Sequence, residues 1–312
     1  MNQNHIAMKN ILVPVDFSEV SEAAARFAID LAKESNATVT FLNSAEINYF
    51  ADYHFPVYSN AKLMVTEVVE SIQRQMDRMV KEHEVDGVSI KGKVSPLTLM
   101  QSIKDEIKES KIDLCVVGTT GCTGMDEFFV GSNTEKIVRQ VSCPVISIPG
   151  SYQIDAIKKI LVPIDLREVR ASFLKEVRLL QKMFNCQLEF VWVKTPHNIE
   201  NEDKVAEELG RIFESIGIDN YSFFIVRSVF PADGIFMEVD DSDADMVAMA
   251  THARRGISHW LSGSLTEDTV NHVKVPVWSF KIDRTEKPLK LQAVSKASGM
   301  PEYRRIEPMV IL

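Results

Sequence analysis

The segment Lys9-Asn10-Ile11-Leu12-Val13-Pro14-Val15-Asp16 returns in shortened form as Lys159-Ile160-Leu161-Val162-Pro163-Ile164-Asp165. A second pair follows in the same order near the end of each half. Gly131-Ser132, Glu135 and Ser142-Cys143-Pro144-Val145 answer to Gly263-Ser264, Glu267 and Lys274-Val275-Pro276-Val277. The period is a whole domain, longer than the roughly 20 to 50 residues of a solenoid repeat, so the chain reads as a duplicated compact unit. Its 312 residues, 45% of them hydrophobic, are enough for two cores. The boundary falls between Gly150 and Ala156, which gives domains over 1–150 and 151–283 and an extension over 284–312.

Within the first half, Ile11 to Val15 is a short β-branched run closed by Asp and Ser, as in a strand buried on both faces. Ser18 can cap a following helix whose Ala24, Phe27, Ala28 and Leu31 make one apolar stripe, with Asn36 as its end. A strand over Thr38 to Asn43, an aromatic loop from Tyr49 to Tyr58 and a helix from Lys62 to Glu82 come next. After them the sequence predicts a strand near Val88, a helix from Pro96 to Glu109 and a strand from Leu114 to Val117. The second half repeats this order, with Phe173, Val177, Leu180 and Phe184 on its first helix. Its expected strands are Leu188 to Val193, Ser222 to Arg227, Met246 to Ala250 and Val275 to Phe280. Strands alternating with helices predict two tandem doubly wound α/β domains with parallel sheets and ligands at the carboxyl ends of the strands. The tail after Arg284 carries Pro288, Pro301 and Pro308 without periodicity and reads as an extended arm. Its apolar end, Met309-Val310-Ile311-Leu312, is a candidate to dock on a sheet edge or groove.

Composition removes several classes of function. A formal charge of -9 argues against binding the phosphate backbone of nucleic acid. No apolar run reaches the length of a membrane span, so no membrane role is expected. Cys115, Cys122, Cys143 and Cys186 form no C-x-x-C pair and no export signal precedes the first strand, which suggests a reduced cytoplasm.

Gly118-Thr119-Thr120-Gly121, followed after nine residues by Gly131-Ser132-Asn133, lies between a strand and a helix expected near Thr134. Glycines let backbone N–H groups reach phosphate oxygens, and a helix N-terminus adds free donors and partial positive charge. Together with the V-P-x-D end of the first strand, this G-x2-G-x9-G-[ST] spacing closely resembles the ATP-binding pattern of the universal stress protein family. The resemblance runs from Lys9 to Pro149 and from Lys159 to Lys281. It implies an adenine nucleotide α-hydrolase-like fold for each half and pairing of the halves as an internal pseudo-dimer through Val145 to Ile148 and Val277 to Phe280. It also implies Pro14, Val15, Asp16 and Ser44 against adenosine, with Gly118, Gly121, Gly131, Ser132 and Asn133 against ribose and phosphates. The implied ligand is ATP, or AMP or ADP, with Mg²⁺. The implied role is stress-response regulation through a protein partner, with homodimers as a further expectation.

The same residues have structural readings. Asp16 can begin a turn or help cap the first helix, and Ser132 with Glu135, like Ser264 with Glu267, has capping-box spacing. The insert Cys122 to Val130 has Asp126 and Glu127 but no Lys or Arg, which is unfavourable to a triphosphate. In the second half Ala250-Thr251-His252-Ala253 replaces the first two glycines, and Arg254, Arg255 and His259 make that loop basic. The second ATP motif is therefore read as degenerate.

Gly87 to Val94 nearly spells a P-loop, but Val94 stands where Mg²⁺ needs Ser or Thr, and Val88 to Ile90 is strand-like. No G-x-G-x-x-G after a strand, H-E-x-x-H or G-x-S-x-G occurs, and His252, His259 and His272 lack zinc-ligand spacing. H-x-G-H, K-M-S-K-S and S-G-G-x-D-S are absent as well, which counts against a nucleotidyl transferase. No acid or base can be placed against a γ-phosphate, so at most slow hydrolysis is expected. The rival reading is a nucleotide-independent interaction protein with the same fold.

Overall fold

A computed structural model describes residues 8–46, 61–119, 132–252, 273–283, 285–289 and 303–306. The chain divides into two compact units between Ile154 and Asp155.

In the first unit β1 (Asn10–Pro14), α1 (Glu19–Ser35), β2 (Thr38–Ser44), α2 (Ala61–Glu82), β3 (Ser89–Ser95), α3 (Leu99–Glu109), β4 (Leu114–Gly118), α4 (Ser132–Gln140) and β5 (Val145–Ile148) alternate along the chain. Its strands are all parallel, in the order β5-β4-β1-β2-β3. Ile11, Leu12 and Val13 are completely buried, as a strand covered on both faces requires. The stripe Ala24, Phe27, Ala28 and Leu31 lies in the core, so α1 is held by burial of one face. Ser18 caps α1 by accepting from the Ser21 N–H, and Asn36 ends it at φ 55, a left-handed conformation that asparagine tolerates.

Expected boundaries move by a few residues, and the rejected P-loop is strand. The helix expected from Pro96 begins at Leu99, because the Gln101 side chain accepts from both the backbone N–H and the hydroxyl of Thr98 and fixes the start there. Gly87 to Val94 leads into β3, with Gly92 packed against Met76, so the near P-loop is strand.

The second unit runs β6 (Lys159–Pro163), α5 (Ala171–Phe184), β7 (Gln187–Lys194), α6 (Glu202–Ile216), β8 (Tyr221–Arg227), α7 (Pro231–Asp241), β9 (Met246–His252), β10 (Val277–Ile282) and β11 (Tyr303–Ile306). The strand order is β11-β8-β7-β6-β9-β10, again parallel. Phe190 stacks on Phe213 at 4.1 Å between centroids, and Tyr221 meets both edge-on. β11 is a finding the sequence did not foretell. Four residues of the tail pair with the edge of β8, Tyr303 opposite Phe223 and Ile306 opposite Val226. Met309 to Leu312 and the aromatic loop from Tyr49 to Tyr58 lie outside the described residues.

Candidate functional site

In the first unit β1 has β2 on one side and β4 on the other, so successive crossovers leave in opposite directions. The crevice this opens at the carboxyl ends of β1 and β4 is where a doubly wound sheet takes its ligands. Pro14 ends β1, Val15 and Asp16 follow, and α1 starts at Glu19 after the cap Ser18. Reversing in so few residues puts Phe17 at φ 63, an outlier for a bulky side chain. Asp16 is exposed, and its Oδ1 accepts from the Ser18 backbone N–H at 3.1 Å and from the Ser18 hydroxyl. Partial burial pulls its carboxyl up, but the hydrogen bonds from Ser18 and Ser21 outweigh that and hold it below its ordinary value. The group is anionic at neutral pH and can accept from a hydroxyl or an amine.

Val15 is already engaged. Its N–H donates to Leu42 at 2.9 Å, its carbonyl accepts from the Asn43 amide at 2.8 Å, and its side chain is buried. Ser44, at the end of β2, donates its hydroxyl to the Leu97 carbonyl. Beyond it Glu46 adopts φ 47 and accepts from the Leu99 N–H at 3.3 Å, at the start of α3. Buried Ser95 and Ser102 join their hydroxyls at 2.7 Å beneath this corner. Asn43, Glu46, Ser95 and Ser102 were not foreseen. The one sequence signal was a polar pair, Asn43-Ser44, closing an apolar strand.

Gly118 closes β4. A Cβ there would lie 2.5 Å from both the Val20 side chain and the Val20 carbonyl oxygen, so close packing of α1 on β4 by itself demands glycine. Thr119 continues toward β5 with its N–H on the Ile148 carbonyl at 2.9 Å, and Thr134 returns its hydroxyl to the Gly118 carbonyl at 3.0 Å. That bond ties the start of α4 to the end of β4. Ser132 is the first residue of α4 and Asn133 is exposed beside it, so both stand where a helix presents free N–H groups. Glu135, the capping-box partner of Ser132 by spacing, has its carboxylate on Arg139 at 2.9 Å. Gly121, Gly131, Cys122, Asp126 and Glu127 lie outside the described residues. The structure thus brings Pro14, Val15, Asp16 and Gly118 to one crevice and places Ser44 on the next strand.

The second unit departs from this arrangement at the same place. Asp165 lies five residues before the cap Arg170, whereas Asp16 lies two before Ser18. Ala250 stands in this second unit where the first has Gly118. A pocket of about 40 Å³ here is lined by residues including Asp165, Glu168, Val169, Ala250 and Ile282. That is space for a water or two, far below the roughly 300 Å³ at which ligand pockets begin. Ala253, Arg254, Arg255, His259, Gly263 and Ser264 lie outside the described residues.

Among the described residues no group of three His, Cys, Asp or Glu side chains converges to hold a metal ion, and no helix is long and apolar enough to cross a membrane.

The model of the universal stress protein family matches residues 8–149 and again 156–281. A universal stress protein of Methanocaldococcus jannaschii is 31% identical over 140 residues, 45% of this chain and 81% of that protein. The crystal structure of a universal stress protein from Archaeoglobus fulgidus, 17% identical, aligns with 88% of this chain and 98% of its own at a TM-score of 0.63. A functionally unknown protein from Pseudomonas aeruginosa, 16% identical, aligns over 90% of this chain and 95% of its own at 0.57. At these identities the two structures speak for the fold.

Proposed function

The chain belongs to the universal stress protein family, and from that premise we propose that its first domain binds an adenine nucleotide whose presence is read by a protein partner in a stress response. ATP is the leading ligand, with AMP and ADP as alternatives, and Mg²⁺ is taken to arrive with the phosphates. The reading assigns Pro14, Val15, Asp16 and Ser44 to the adenosine end and Gly118, Gly121, Gly131, Ser132 and Asn133 to ribose and phosphates. The observation that carries it is Asp16. Its carboxylate is exposed at the carboxyl end of β1 and held anionic by Ser18, beside the strand that leads to the N-terminus of α4. Such a group can orient a ribose hydroxyl or an adenine amine while the helix start receives phosphate. The proposal is binding, with at most slow hydrolysis. A homodimer and a cytoplasmic setting belong to the same proposal.

A second reading, a nucleotide-independent interaction protein, draws on the fact that Val15, Ser44 and Gly118 all have structural roles of their own. Native mass spectrometry with and without Mg-ATP separates the two. One added nucleotide that disappears in Gly121→Val supports the first-domain site, and no nucleotide on the wild-type chain overturns it.

A further inference from the structure

In the first-domain crevice the chain is fixed on both sides of a single strained residue. Val15 is clamped to β2, its N–H on the Leu42 carbonyl at 2.9 Å and its carbonyl accepting from the Asn43 amide at 2.8 Å. Ser18 is committed to α1. Its hydroxyl oxygen accepts from the Ser21 N–H at 3.2 Å and its carbonyl from the Glu22 N–H at 2.9 Å. The reversal from strand to helix therefore falls on Asp16 and Phe17, and Phe17 takes it at φ 63. Three of the other five non-glycine residues described at positive φ are asparagines, which tolerate that region. Phe17 is the one aromatic among them, and a bulky side chain there is strained.

The second domain shows that the carboxylate turn does not itself require this conformation. Asp165 accepts from the Arg167 N–H at 3.0 Å, as Asp16 does from the Ser18 N–H at 3.1 Å, yet the intervening Leu166 is not left-handed and is buried. There the chain makes a further turn, with the Glu168 and Val169 N–H groups both on the Asp165 carbonyl at 2.9 Å, before the cap at Arg170. In the first domain Ser18 is both the helix cap and the partner of the carboxylate, which leaves Phe17 no room for that extra turn. A strained residue persists only where its surroundings over-determine it, and here they end in the exposed Asp16 carboxylate. We propose that Phe17 is a positioning residue of the first-domain site, whose left-handed turn holds the Asp16 carboxylate on Ser18 and in place to accept from the ribose or adenine of a nucleotide. The ligand rests on the adenine-nucleotide reading of this site, but the turn does not.

The test uses the full chain, Mg-ATP as the probe and two variants that both remove the ring. Phe17→Asn brings a residue that adopts the left-handed region, and Phe17→Val brings a β-branched one that resists it. Calorimetric titration reads affinity, and hydrogen exchange at the Ser18 amide reads the bond to Asp16 without any nucleotide. Phe17→Val is expected to speed Ser18 exchange and to weaken Mg-ATP, each about tenfold or more, as loss of a charge-assisted hydrogen bond does. Phe17→Ala is expected to move both the same way by less, and it serves where the valine chain does not fold. Phe17→Asn is expected to rescue both readouts to within about threefold of wild type. Wild-type affinity in folded Phe17→Val overturns the positioning role. So does a Phe17→Asn chain that restores exchange but not affinity, since the ring itself would then be the contact. Ser18 exchange that stays slow in Phe17→Val overturns the turn. A wild-type chain that binds no nucleotide overturns the ligand and the functional reading with it, while the Ser18 pattern still decides whether Phe17 sets Asp16.

Discussion

A methyl group on Gly118 would sit 2.5 Å from the carbonyl oxygen of Val20, closer than any real Cβ contact. The glycine that marks the nucleotide motif is therefore required by helix-on-strand packing before any ligand is considered. Gly118→Ala is expected to destabilise the ligand-free chain by about 1–3 kcal/mol, the usual cost of overpacking. Urea unfolding without nucleotide reads this directly. An unchanged midpoint would mean that α1 can move aside and that the glycine serves only a ligand. The counterpart Ala250→Gly should cost no more than about 1 kcal/mol, since only backbone freedom is added.

Asn43 fixes the height of the chain just before Asp16. Its buried amide holds the Val15 carbonyl at 2.8 Å. Asn43→Leu keeps the volume and orphans that acceptor, at a cost of about 1–3 kcal/mol. If Asp16 touches nucleotide, affinity should fall further than Asn43's own distance from the crevice would suggest. Calorimetric titration with Mg-ATP on the folded variant checks the second part, and full affinity beside lost stability would confine Asn43 to the fold.

Strands, stripes and the repeat were legible because each rests on local pattern. Ile11 to Val13 could only be buried, and Ala24, Phe27, Ala28 and Leu31 could only face one way. The start of α3 was misplaced because Pro96 is a common first-turn residue and the deciding bond, Gln101 to Thr98, is a side-chain choice. β11 was not legible. Tyr303-Arg304-Arg305-Ile306 has no alternation, and its pairing with β8 joins residues about eighty positions apart. For the site, spacing pointed to Asp16 and Gly118 but could not show that Val15 spends both backbone groups inside the sheet.

Lys93 and Glu106 join β3 to α3 and give the first domain a pH signature. Glu106 is buried, and although burial raises its carboxyl, hydrogen bonds from Lys93 and Ser110 prevail and hold it below the ordinary value. The hydrogen bond to Glu106 likewise raises Lys93. A depressed carboxyl contributes stability that is complete above the unfolded value, about 4.3, and is lost as pH falls through the lower native value. The raised lysine contributes below about 10.4 and loses it as pH climbs through its native value. Glu106→Gln should therefore flatten the acid limb of the stability profile while lowering stability by about 1–3 kcal/mol at neutral pH. Identical acid limbs in the two chains would contradict the assignment.

The buried thiols should be inert while the chain is folded. Burial raises Cys115 well above its ordinary value and pushes Cys143 and Cys186 up to about 12, so almost none is thiolate at neutral pH. Iodoacetamide at pH 8 is expected to leave all three unmodified in the native chain and to label them in urea, with peptide mass spectrometry identifying the sites. Native labelling of Cys143 would show that the β4–β5 region opens far more readily than its burial implies.

Asp16 carries the functional reading, so its substitution must separate a ligand contact from a turn. The carboxylate accepts from the Ser18 backbone and hydroxyl, and Ser18 itself caps α1 through the Ser21 N–H. Asp16→Asn retains an acceptor for Ser18 and removes the charge, whereas Asp16→Ala removes both. If the role is only structural, Asn should behave nearly as wild type in every assay and Ala should lose about 0.5–2 kcal/mol of stability. If the carboxylate holds an adenosine hydroxyl or amine, both should bind Mg-ATP about tenfold or more weakly, the charged hydrogen bond being worth about 1.5–3 kcal/mol. The depressed carboxyl adds a second check. Because Asp16 stays ionised below its ordinary value, wild-type binding should not weaken through Asp16 between pH 7 and pH 5. Wild-type affinity in Asp16→Asn would remove this residue from the ligand and leave the helix start and glycine loop to hold the nucleotide alone.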